Sequence, residues 1–162
     1  MYMTLDKMIA LAANHARTVM VDSKDELTPA WLVVTDKGSI EIFATPWGNN
    51  REKHVIIETM RDVMREKHAT AYSMVTEAWM LRVQGVGLTE ENYTGPMPSE
   101  SPDRQECVVV MAANKAGEHR YQTLETVRGP KGKCVELRAL SGIEDRFTGI
   151  FDNLLVDKRR TH

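Results

Sequence analysis

The stretch Arg104–Leu140, RQECVVVMAANKAGEHRYQTLETVRGPKGKCVELRAL, decides the fold class. Its β-rich runs, at about residues 104–112, 119–128 and 133–140, are separated by Asn114-Lys115-Ala116-Gly117 and Gly129-Pro130-Lys131-Gly132. Both separators are rich in residues that suit tight turns. Neighbouring runs joined so closely pair antiparallel, so this stretch predicts a meander. Upstream, residues 71–83 are apolar on both faces, with Tyr72, Met74, Ala78 and Met80 on one and Val75, Trp79 and Leu81 on the other. That is the texture of an interior strand.

Outward from this core of strands, the periodicity changes. Leu5, Met8, Ile9, Ala12, Ala16, Val19 and Met20 recur at helical spacing behind Thr4, predicting a helix over about 5–21 with Thr4 as its N-cap. Trp31–Thr35 and Ile40–Thr45 read as a hairpin, with Gly38 supplying the left-handed turn residue. A second helix is expected from an Asn50 cap to His68, with Ile56, Met60, Val63 and Met64 as its apolar stripe. A third begins at Ser141, where Glu144 completes capping-box spacing, and carries Ile143, Phe147, Ile150, Phe151, Leu154 and Leu155. The basic run Lys158–Arg160 suits its C-terminus. The predicted class is α+β: one domain over residues 1–162, a mostly antiparallel sheet of five to six strands with helices packed on it, in the order α-β-β-α-β-β-β-β-α. That element order resembles the roadblock, longin and profilin-like layouts, a likeness of topology that does not assign function.

The chain has 162 residues, enough for a substantial core, and 21 Lys and Arg against 23 Asp and Glu give a net charge of −2. A near-neutral balance lacks the basic surplus of a dedicated nucleic-acid binder. The basic groups around the last hairpin, Arg120, Arg128, Lys131 and Lys133, are interleaved with Glu118, Glu125 and Glu136 and read as a solvated mixed-charge face. No apolar run reaches the roughly 18 residues a spanning helix needs, and the first residues do not read as a signal peptide, so a cytoplasmic location is expected. Cys107 and Cys134, the two cysteines, lie in apolar extended segments and are expected to be reduced.

The long connection between strands, residues 83–103, carries Glu90, Glu91, Glu100 and Asp103 with no Lys or Arg, which leaves the rest of the chain slightly basic. It also holds Tyr93 and Met97, apolar anchors in an otherwise polar segment. A connection of this length inside one domain is uncommon and points to function. Glu90, Glu91, Tyr93, Met97 and Glu100 are therefore the candidate binding residues, suited to a protein partner with a basic surface.

The residues that flank this connection, Glu77-Ala78-Trp79-Met80 and Pro98-Ser99-Glu100-Ser101-Pro102-Asp103-Arg104-Gln105-Glu106, form a pattern similar to one in a family of uncharacterised bacterial and phage proteins of like size. The likeness covers about residues 70–130. It implies a bacterial or phage source and assigns no mechanism.

Catalytic motifs are thin. Glu77 and Glu106 sit on otherwise apolar strand faces and so need a counter-charge or a proton, with Arg104 the natural counter-ion. With Asp103 they form the candidate site of a hydrolase-type enzyme on small molecules, where two carboxylates could work as acid and base. No GxSxG or Walker motif is present, Gly85-Val86-Gly87 lacks the rest of a dinucleotide loop, and Pro102-Asp103 with Glu106 has the wrong spacing for a nuclease. His54 and His68 lie about 21 Å apart along one helix, and His15, His119 and His162 have no partner at chelating spacing. Neither a metal nor a cofactor is expected. The leading expectation is a small soluble non-enzymatic binding or regulatory protein acting through the 83–103 connection. A homodimerising module built on strand edges or the last helix is the other alternative.

Overall fold

A computed structural model of the chain describes residues 3–80, 104–140, 142–143 and 154–155. Two helices, α1 (Leu5–Met20) and α2 (Asn50–Glu66), accompany six strands: β1 (Ala30–Thr35), β2 (Ile40–Ala44), β3 (Ala69–Met80), β4 (Gln105–Asn114), β5 (His119–Arg128) and β6 (Cys134–Ala139). The strands form a single antiparallel sheet in the order β2-β1-β3-β4-β5-β6. The class is α+β, as the strand and helix periods predict.

The meander accounts for β3 to β6. The β1–β2 hairpin joins it on the far side, where β1 pairs with both β2 and β3. The hairpin turns at Gly38, whose φ of 79° is the left-handed conformation the turn requires. Because β2 and β3 flank β1, the chain between them crosses β1, and α2 makes that crossing.

The sheet is covered on both faces. On one face α1 buries Met8, Ile9, Ala16 and Met20 against Val75, Val108, Val110, Leu124 and Leu137. On the other, α2 buries Ile57, Met60 and Met64 against Trp31, Tyr72, Met74 and Met111. Trp31 and Tyr72 are fully buried with ring centroids 6.2 Å apart. Each ring takes on the order of 150–250 Å² out of water, which at about 25 cal/mol per Å² is roughly 4–6 kcal/mol before the entropy of ordering. Their polar atoms are satisfied: Trp31 Nε1 donates to Thr45 Oγ1 at 2.7 Å, and Tyr72 Oη accepts from the Leu154 backbone N–H at 3.3 Å.

Thr4 caps α1 as expected, its Oγ1 accepting from Lys7 N at 3.1 Å. The start of α2 corrects the expected cap. Asn49, not Asn50, is the N-cap, because its extended backbone lets Oδ1 accept from Glu52 N at 2.8 Å, while Glu52 Oε2 returns to accept from Gly48 N at 3.2 Å. The buried stripe of α2 is Ile57, Met60 and Met64, with Ile56 and Val63 half-buried beside it. The expected third helix lies almost wholly outside the described residues; Leu154 is buried in the α2-side core and Leu155 packs against it. Among the described residues no helix is long and apolar enough to cross a membrane.

Replacing the true cap is expected to matter more than replacing its neighbour. Asn49→Ala should lower stability by about 1 kcal/mol, whereas Asn50→Ala, at an exposed first-turn position, should change it little. Urea unfolding of the two variants beside the parent chain measures the difference.

Candidate functional site

The register between β3 and β4 settles where the candidate carboxylates go. Trp79 lies opposite Glu106, and Glu77 opposite Val108. Side chains alternate along a strand, so Glu77, Trp79, Arg104 and Glu106 all share the sheet face that α1 covers farther along. Diagonal neighbours of this kind have Cα atoms on the order of 7–8 Å apart. Of the four residues expected to form a site, Glu77 and Glu106 are diagonal neighbours, and Arg104 lies farther along the same face, diagonal to Trp79; Asp103 is outside the described residues.

Their engagements differ from the expected ones. The counter-ion of Glu106 is Arg128 of β5, whose Nε donates to Oε2 at 2.6 Å and Nη2 to Oε1 at 3.2 Å. Arg128 Nη1 also donates to Gly132 O at 3.0 Å, tying the β5–β6 turn to the pair. Arg104 instead lies over the Trp79 ring, 4.4 Å from its centroid, a cation–π contact. Glu77 reaches the segment between α1 and β1, where its Oε2 accepts from the Leu27 backbone N–H at 2.9 Å. Burial pushes the Glu77 carboxyl above its usual range; the Leu27 bond opposes this, Glu26 and Glu106 add to it, and Arg128 opposes it.

The cysteines sit on opposite faces of the sheet. Cys134 belongs to the α1-side core, whereas Cys107 shares the face of Met111 and Ala113. Both are free and buried, and burial pushes the Cys107 thiol up to about 11. No group of three or more His, Cys, Asp or Glu side chains among the described residues is placed to hold a metal.

Two features escape the sequence reading. One is a cleft of about 570 Å³ at the opposite end of the sheet from Glu77 and Glu106, between the start of α1, the β1–β2 turn and the β4–β5 turn. Its polar lining includes Thr4, Asp6, Asp36, Lys37 and Arg120, with Asp6 and Arg120 paired at 3.8 Å. The other is the edge of the sheet at β2. Ile40, Ile42 and Ala44 are exposed, Ile42 at 72% of its surface. They stand on the α1-side face next to half-buried Leu32 and Val34, while α1 itself packs over β3 to β6. The alternation Ile40-Glu41-Ile42 signals this face in the sequence, but alternation does not say which strand ends up at an edge.

The candidate binding residues Glu90, Glu91, Tyr93, Met97 and Glu100 lie outside the described residues. Comparison of the chain with protein-family models, with curated proteins and with solved structures finds no match.

Two measurements follow from these geometries. The folded state holds the Glu77 proton to a higher pH than the unfolded chain does. The resulting contribution is complete below the ordinary glutamate range and is lost as pH rises through the raised folded value. Glu77→Gln keeps an acceptor for Leu27 without titrating, so its stability relative to the parent should improve from pH 4 to pH 8; a constant difference in denaturant unfolding would refute the assignment. Cys107, mostly thiol at neutral pH, should react with an alkylating reagent far more slowly in the folded chain than in denaturant, as mass spectrometry of the labelled peptides can show.

Proposed function

We propose that this chain is a small binding or regulatory protein, of the bacterial or phage kind its pattern resembles, that acts through contacts with other polypeptides rather than by catalysis. The observation that carries the reading is the β2 edge of the sheet, which no strand among the described residues pairs with on its outer side. A strand edge with exposed apolar side chains is a template for another chain, and proteins that do not use such an edge generally blunt it with charge, proline or a covering segment. Here the exposed positions are Ile40, Ile42 and Ala44.

The ionisable residues support the same reading. Glu106 is occupied by Arg128, and one oxygen of Glu77 by the Leu27 N–H. These groups tie β3, β4, β5 and the segment before β1 to one another, which is sufficient reason for carboxylates at those positions. Residues 83–103, with four carboxylates and no Lys or Arg, belong to this reading as a second contact segment suited to a basic partner surface.

A photo-reactive residue substituted for Ile42 should form a covalent adduct with another polypeptide when the chain is irradiated in its expression host. The same residue substituted for Asp62, which is 74% exposed on α2, should give little. No excess of adduct at position 42 would overturn the proposal.

A further inference from the structure

We propose that the partner of this edge is a second copy of the chain: β2 pairs antiparallel with β2 of the copy, with Ile42 on the two-fold axis, joining the two sheets edge to edge. The inference rests on the preceding reading of the β2 edge and names its occupant.

The backbone bonds of the hairpin fix which groups face outward. Thr35 N donates to Ser39 O at 2.9 Å, and Thr45 N to Pro29 O at 2.8 Å. Opposed residues in an antiparallel ladder alternate between bonded and non-bonded pairs. Ser39, Glu41, Phe43 and Thr45 therefore direct their N–H and C=O groups at β1, and Ile40, Ile42 and Ala44 direct theirs away from the sheet. This outward set is symmetric about Ile42. Turned through a two-fold axis there, Ile40 meets Ala44 of the copy, Ile42 meets itself, and every outward N–H faces a C=O.

Charge and composition select this register. Centring on Glu41 would set two glutamates opposite one another, and centring on Phe43 would bring Pro46, which has no N–H, opposite Ile40. Centring on Ile42 uses the whole strand and places Glu41 opposite Phe43. The Glu41 carboxylate is already held by Lys67 Nζ at 2.9 Å, so no unpaired charge stands at the junction. Ile40, Ile42 and Ala44 of both copies then make one apolar strip continuous with Leu32 and Val34.

The other edge lacks these properties. At β6, Glu136 and Arg138 are exposed, and the backbone of Cys134 is already engaged, accepting from Asp22 N at 2.7 Å and donating to Ser23 O at 3.0 Å. A joint of one short strand buries less than the roughly 1,200–2,000 Å² of a standard interface. The dimer is thus a weak, concentration-dependent one with the isologous symmetry that a self-complementary strand imposes.

Sedimentation equilibrium of the full chain from about 10 μM to about 1 mM tests the proposal. The parent should shift from monomer towards dimer across that range. Ile42→Lys and Ile42→Glu should each remain monomeric, since each places its new charge against its own counterpart. An equimolar mixture of the two should recover dimer. Matching circular dichroism and melting for both variants checks their folding, which an exposed position should leave unchanged. A parent monomeric throughout overturns self-pairing, and if position 42 nevertheless photo-crosslinks to another protein, the binding reading survives without it. Dimer that persists in either variant, or a mixture that stays monomeric, overturns the Ile42-centred junction.

Discussion

The long ladder between β3 and β4, running without a shift from Ala71 opposite Asn114 to Met80 opposite Gln105, is the constraint on which the rest of the molecule depends. Both strands lie in the interior of the sheet and are buried on both faces, so their register decides what α1 and α2 meet. A slip of one residue would exchange the two faces, presenting Tyr72 and Met74 to α1 and Val75 to α2. The same register brings Glu77, Trp79, Arg104 and Glu106 onto one face. The ladder thus accounts both for the core and for the polar cluster beyond the end of α1.

Much of this is legible in the residues. The helical stripe behind Thr4, the turn at Gly38 and the strand texture of residues 104–140 each depend on local chemistry, and local chemistry is what a sequence displays. What escapes is whatever depends on a neighbour distant in the chain. Alternation assigns Glu106 to a face but cannot say that Arg128, on the next strand, will reach it before Arg104 does. The Leu27 N–H that binds Glu77 is a backbone group and leaves no mark in the side-chain pattern. At α2, two successive asparagines offered the same chemistry, and only the backbone angle separates the cap from the first helical residue. Edge position is equally hidden, since the face of β2 reads like that of any half-covered strand.

The polar cluster and the β2 edge divide the work of the sheet. At the cluster, charges are used up internally: a bidentate pair joins β4 to β5 and a carboxylate holds the segment before β1 in place. At β2, the one carboxylate is drawn off to Lys67 on the α2 face, leaving the outward backbone and the isoleucines uncharged. Internal neutralisation therefore stiffens one end of the sheet and clears the edge of the other.

The placement of α1 bears on how the chain comes together during synthesis. Its buried face rests on Val75, Val108, Val110, Leu124 and Leu137, and the residue that follows it, Val21, bridges to Cys134. Every one of these partners is made long after the helix itself. The helix is thus synthesised before the strands that it packs on, and its apolar stripe must wait in solvent or in a chaperone until the meander closes. The short, alanine-rich character of that stripe, with Ala12, Ala13 and Ala16 in place of larger residues, limits the apolar surface exposed meanwhile.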